Sequence, residues 1–184
     1  MLILLPIHLS AQEMEVPIKL QYSLIGKILS FDRTLKIHSK DDVVVGILFQ
    51  NKYRASLNVK NQLLECVKAD PNNKIDGHAI RWVSFEISSG DEISSALARE
   101  NIDVLYITPM RDVGITDITN LTRSNHILTI TGVPTYVGEG LAVGIGAKGE
   151  KPVIYVNFSA SKAEGADFNS QFLKFVQIVE TVNQ

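Results

Sequence analysis

Val43-Val-Val-Gly-Ile-Leu-Phe49 is an unbroken apolar, β-branched run of strand length. A strand with no polar alternation has to be covered on both faces, so a sheet built on it needs helices above and below. The flanking sequence supplies them. Ile18, Tyr22, Ile25 and Leu29 recur at helical spacing and predict an amphipathic helix over Val16 to Ser30, with Pro17 near its first turn. After Gln50-Asn-Lys52, the positions of Leu57, Leu64 and Val67 predict a helix over Tyr53 to Lys68 that stops before Asp70-Pro-Asn-Asn73.

The alternation continues with shorter elements. Ala79 to Ile87 reads as a second strand, and Asp91 caps a helix running to about Glu100. Ile102-Asp-Val-Leu-Tyr-Ile107 is a third strand, and Thr116 to Ser124 is a helix ending at Asn125, a residue that tolerates a left-handed terminus. Ile127-Leu-Thr-Ile-Thr131 is a fourth strand. Crossovers of this length exclude hairpins and imply a mostly parallel sheet in a three-layer αβα sandwich. The ending departs from that rhythm. Leu141-Ala-Val-Gly-Ile145 and Pro152 to Phe158, joined by Gly146 to Lys151, predict an antiparallel hairpin. A closing helix with Phe168, Phe172, Phe175, Val176 and Val179 on one face is expected after it.

At 184 residues and 45% hydrophobic content the chain suits a single core, and residues 12–184 read as one domain. A net charge of −2 and 7% aromatic residues leave neither a phosphate-binding surplus nor a stacking platform, so nucleic acid is not an expected partner. Met1 to Ala11 is a short apolar run ending in small residues, the pattern of a secretory signal cut after Ala11. Its positive beginning is missing, so either the start lies further upstream or the leader reading fails. The competing reading is a buried first strand interrupted by Pro6. No other stretch approaches the ~20 apolar residues of a membrane helix. Cys66 is the only cysteine, so no disulfide can form within the chain, and its place on an apolar helix side suits packing.

Motif-borne chemistry is absent. Gly144-Ile-Gly-Ala-Lys-Gly149 spells a dinucleotide fingerprint, but a strand follows it where a helix N-terminus is required, so a tight turn is the better reading. His8, His38, His78 and His126 have no metal spacing, and no serine sits in a Gly-x-Ser-x-Gly turn. Asp112 is expected to cap a helix and Glu139 to be solvated. Neither a catalytic residue, a metal nor a cofactor is expected. A parallel sheet nevertheless offers a crevice beyond the carboxyl ends of its strands. That rim collects Gln50, Asn51 and Tyr53, then Thr108 to Arg111, then Gly132 to Tyr136 with Thr135 among them. Arg111 could hold a carboxylate or phosphate bidentately, with Asn51 and Thr135 bonding the rest of a small-molecule ligand. The bland alternative pairs Arg111 with Asp112. Tyr136, Glu139 and Tyr155 form a second candidate surface, for a protein partner.

The chain resembles the bacterial YfiR family. The likeness is carried by Ile18 to Leu29, Val43 to Asn51, Ile102 to Thr108, and a closing block from Ile127 through Gly140-Leu-Ala-Val-Gly-Ile145 and Ile154-Tyr-Val-Asn-Phe-Ser-Ala160 to Phe172-Leu-Lys-Phe175. The resemblance implies a periplasmic regulator, not an enzyme, that restrains an inner-membrane diguanylate cyclase and so acts on cyclic-di-GMP signalling. A homodimer is a further expectation. Asp103 stands where many members place a cysteine and Cys66 has no mate, so redox sensing through an internal disulfide is excluded here; Phe31-Asp-Arg33 also replaces their tryptophan-proline. The rival reading is a stand-alone, one-lobe small-ligand-binding protein of the periplasm.

Overall fold

A computed structural model describes residues 14–38, 42–87 and 90–181, so the leader predicted over Met1 to Ala11 lies outside the described residues. An eight-stranded sheet runs in the order β2-β3-β1-β4-β5-β6-β7-β8. In chain order the elements are α1 (Ile18–Ser30), α2 (Arg33–His38), β1 (Val43–Phe49), α3 (Arg54–Ala69), β2 (Lys74–Ile75) and β3 (His78–Glu86). There follow α4 (Gly90–Glu100), β4 (Val104–Ile107), α5 (Ile115–Ser124), β5 (Leu128–Thr131), α6 (Thr135–Gly138), β6 (Val143–Lys148), β7 (Lys151–Val156), α7 (Phe158–Ala163) and β8 (Val176–Ile178).

β1 shows why its apolar run forces this architecture. It pairs in parallel with β3 on one side and β4 on the other, Val45 standing level with both Trp82 and Val104. Val43, Val45 and Ile47 share a core with Ile25, Ile28 and Leu29 of α1 and Val59 and Leu63 of α3. Val44 and Leu48 point the other way, into a second core with Ile93 and Leu97 of α4 and Ile115 and Ile118 of α5. Period-two alternation thus feeds two apolar layers from one strand. Gly46 is required between them, since a β-carbon there would stand 2.8 Å from the Phe85 ring and 3.1 Å from Leu105.

The five strands β3-β1-β4-β5-β6 are mutually parallel, and their connections reverse direction between β1 and β4. In open α/β sheets such a reversal opens a crevice at the strands' carboxyl ends.

The carboxyl-terminal half corrects four expectations. The closing helix does not form: Phe172–Lys174 makes a single 3-10 turn, and Val176–Ile178 joins the sheet as β8, parallel to β7. The aromatic spacing that imitates a helix serves a cluster instead, with Phe172 fully buried, 4.5 Å from Phe168 and 5.3 Å from Phe31 between ring centres. Val176, Ile178 and Val179 are β-branched and favour the strand. The hairpin loop is shorter than predicted, because β6 continues to Lys148 opposite Lys151 and leaves only Gly149, at φ 62°, and Glu150 to turn. The left-handed residue after α5 is His126, at φ 54°, while Asn125 stays at φ −109°. Finally, α5 begins after Gly114, so Asp112 is not its cap and instead adopts φ 57° in the preceding loop.

Candidate functional site

At the β1/β4 reversal a hydrogen-bonded stack fixes the floor of the rim. Thr108, with no exposed surface, donates its hydroxyl to Leu48 O at 2.8 Å. Its single proton being used, the 2.6 Å contact to Ser56 Oγ must be donated by Ser56. Ser56 Oγ in turn accepts Gln50 N–H at 2.8 Å. Gln50 then grips the opposite strand end by two bonds: Arg111 N–H donates to Oε1 at 2.7 Å, and Nε2 donates to Arg111 O at 2.8 Å. From below, the buried Tyr136 hydroxyl accepts Met110 N–H at 2.9 Å and donates to Met110 O at 3.2 Å. The backbone carrying Arg111 is therefore held at two consecutive residues.

Above this floor lies a cleft of about 290 Å³ lined by Gln50, Asn51, Lys52, Tyr53, Glu86, Ile87, Arg111 and Asp112. The Arg111 guanidinium sits over the Tyr53 ring, 4.8 Å from its centre, and makes no ion pair with Asp112 among the described residues. The bland pairing is thus replaced by a cation–π contact, which leaves the guanidinium N–H fork able to meet an anion. Lys52 adds a second cation, and Glu86 and Asp112 supply carboxylates for the polar or cationic end of a ligand.

Of the residues predicted for the rim, Gln50, Asn51, Tyr53 and Arg111 converge on the cleft. Thr108 supports it from beneath. Gly132 does not line it: this buried glycine faces the α1 side, where any β-carbon would collide with the Gln21 amide. Thr135 is exposed at the start of α6 and is not among the lining residues. The predicted partner surface also breaks up. Tyr136 is 4% exposed and committed to Met110, so it is unavailable to a partner. Tyr155 is half-buried beside Gly146, and Glu139 alone is exposed. Lys52, Glu86, Ile87 and Asp112 are the lining residues that sequence reasoning missed. The signal lay in the strand order, which seats the end of β3 beside that of β1.

A second cavity, about 470 Å³, opens at the amino ends of β4 and β5 and is lined in part by Asp32, Asp103, His126 and Glu164. Its buried acids are already engaged. Asp32 accepts from Thr34 N, Thr34 Oγ1 and Asp167 N. Glu164, 1% exposed, accepts from Thr129 N at 2.8 Å, Thr129 Oγ1 at 2.9 Å and Thr122 Oγ1 at 3.1 Å, and its burial raises its pKa to about 7. These contacts bind α7 to α5 and β5, a structural task. Cys66 is half-buried and burial pushes its thiol up, away from the reactive thiolate. Among the described residues no three His, Cys, Asp or Glu side chains converge to hold a metal. None of the described helices is long and apolar enough to cross a membrane.

The model of the YfiR/HmsC-like family matches residues 65–177. The chain belongs to the YfiR/HmsC-like family. The YfiR/HmsC-like segment runs from within α3 to within β8, so it takes in Arg111 and the β4 side of the cleft, while the Gln50–Tyr53 side precedes it. No curated protein matches the chain. Among solved structures, a conserved domain protein from Vibrio cholerae O1 biovar El Tor superposes with a TM-score of 0.61 at 13% identity, over 88% of this chain and 60% of its own. An ABC domain in complex with L-Trp from Streptococcus pneumonia gives 0.60 at 13% identity, over 89% and 62%. The ligand-free, open substrate-binding protein CD0873 from Clostridium difficile, which has adhesive properties, gives 0.55 at 18% identity, over 80% and 58%. These likenesses establish an α/β fold that spans about three-fifths of each of those chains.

Proposed function

We propose that this YfiR/HmsC-like chain is a periplasmic binding and regulatory domain, not an enzyme. Its β1/β4 cleft takes a small carboxylate- or phosphate-bearing molecule, and its bound state alters the restraint of a membrane-bound signalling enzyme of the diguanylate cyclase type. The observation that carries the ligand half is the Arg111 guanidinium, stacked on Tyr53 and mounted on backbone fixed by Gln50. Such preorganisation lowers the ordering cost of binding an anion. Family membership supports the regulatory half.

The regulatory half is tested by capture from a membrane-envelope fraction with the purified chain as bait. Recovery of a membrane protein that carries a cyclase module is expected. Recovery of no such protein, with and without added cytosolic and envelope small molecules, overturns it. A stand-alone carrier is the second reading, favoured by the likeness of the fold to a substrate-binding protein and to an ABC domain in complex with L-Trp. It predicts ligand binding with no membrane partner.

A further inference from the structure

β3 is unpaired along most of its outer edge. β2 covers only its beginning: Lys74 and Ile75 stand opposite Ala79 and His78, and Ile80 N–H donates to Asn73 O at 3.1 Å. Beyond Ile80 no strand among the described residues lies on that side. Backbone groups alternate sides along a strand, and Ile87 N–H donates inward to Phe49 O at 2.8 Å. The amides and carbonyls of Trp82, Ser84 and Glu86 therefore turn outward, as those of Ile80 do. The register with β1 runs unbroken from Ile80 to Glu86, so neither a bulge nor a proline blunts this edge, and Arg81 is paired with Glu100 of α4 at 3.2 Å. The edge leads straight into the cleft, which is lined by Glu86, the last residue of β3, and by Ile87, together with Arg111. Trp82, the only tryptophan of the chain, is half-buried at this edge, 5.6 Å from the Tyr22 ring, and its buried indole N–H has no hydrogen-bond partner among the described residues.

We infer that the β3 edge and the β1/β4 cleft together dock the carboxyl-terminal tail of a peptide or protein, which adds a strand parallel to β3 and places its terminal carboxylate on Arg111. This rests on the anion reading of the cleft and names the ligand. Charge and direction select the occupant. The Arg111 fork matches a carboxylate, and only a strand running the same way as β3 brings a carboxyl terminus, rather than an amino terminus, to the rim. Arg111 follows β4, two strands in from β3, a distance of ~10 Å at the usual strand spacing. About three residues at ~3.3 Å each cover it, so the tail pairs with Trp82, Ser84 and Glu86 and then bends over the strand ends into the cleft. Main-chain bonds supply the affinity of such strand addition, and the carboxylate fixes its register.

The probes are pools of N-acetylated decapeptides of randomised sequence, one pool ending in a free carboxylate and one in an amide, selected on the purified chain; the recovered peptides are then titrated singly by Trp82 fluorescence. Binders are expected from the free-acid pool alone, each shifting Trp82 emission. Acetate on Arg111 should leave that emission unchanged, because Trp82 lies four residues back from the rim. Arg111→Ala and Ser84→Pro should each weaken the peptides roughly tenfold. The proline removes one outward N–H and leaves the β1 ladder intact, and thermal melts check that the variant folds. Methylating the peptide amides one at a time needs no change in the protein and should weaken binding at alternate positions only. Amidated peptides that bind equally well, binding that leaves Trp82 unmoved, or methylation without alternation overturns the inference. So does a failure of every free-acid peptide to bind: if small anions still raise the melting temperature of wild type and not of Arg111→Ala, the tail alone is refuted and the anion cleft stands, and if they do not, both fall.

Discussion

Glu164 makes the stability of this protein depend on pH in a direction opposite to that of most acidic residues. Burial raises its pKa from the ordinary 4.5 to about 7, against the opposing effect of the donors Thr129 and Thr122. The folded chain therefore binds a proton that the unfolded chain gives up between pH 4.5 and 7. The stability this contributes is fully present below the unfolded value and is lost as pH rises through 7. At about 1.4 kcal/mol per tenfold change in proton affinity, the difference across that window is about 3 kcal/mol. For a chain of this length that corresponds to roughly 6–12 °C in melting temperature. Arg33 beside Asp167, and Arg99 and Arg81 beside Glu100, hold those carboxyls below the usual range, so their losses begin only at lower pH, while burial raises Glu139 in the same direction as Glu164. Calorimetric melts between pH 5 and 8 should show the midpoint falling with rising pH, and Glu164→Gln should flatten that slope while melting higher than wild type at pH 8. A wild-type midpoint that rises towards pH 8, or a slope unchanged in the glutamine variant, would refute the reasoning.

Two further outcomes follow from the packing under the cleft. Gly132→Ala drives a methyl group into the Gln21 amide, which is already committed to Val16 O at 2.7 Å and to the Tyr106 hydroxyl at 2.6 Å, so a loss of about 1–3 kcal/mol is expected in urea denaturation. Tyr136→Phe leaves Met110 N and O without their buried partner, which should cost about 1–3 kcal/mol and speed amide exchange at Met110 and Arg111, measurable by hydrogen–deuterium exchange. Unchanged exchange there would remove Tyr136 from the support of the cleft.

How far the sequence could be read depended on whether an element's pattern was set locally. β1 was legible because seven consecutive apolar residues admit one environment, and α1 because its apolar positions recur at one period. The segment after Phe168 was not. Phe168, Phe172 and Phe175 satisfy a helical period, yet Phe172 and Phe175 pack on Phe31, a partner more than a hundred residues earlier, and Phe168 packs on Phe172. Half of the cleft was legible for the same local reason: Gln50, Asn51, Tyr53 and Arg111 follow closely on identifiable strands. Glu86 and Asp112 were not, since their placement depends on strand order and on a left-handed loop residue. Tyr136 looked like a partner-facing residue because an amphipathic side chain in a loop carries no sign of burial. Its hydroxyl is consumed by Met110 across a gap of twenty-six positions. Nor does any local pattern mark Glu164, a lone acid before a glycine turn, as a buried carboxylate of the cavity beneath α7.

The cleft is tested most directly by a thermal-shift series with inorganic phosphate, acetate, citrate, glutamate and a nucleoside monophosphate, run on wild type and on Arg111→Ala. A molecule present at a hundred times its dissociation constant stabilises the fold by about 2.7 kcal/mol, a shift of several degrees in a chain of this length. At least one carboxylate or phosphate should raise the wild-type midpoint by that order and leave Arg111→Ala unmoved. Equal shifts in both proteins, or none with any of the five probes, would contradict an anion site built on Arg111.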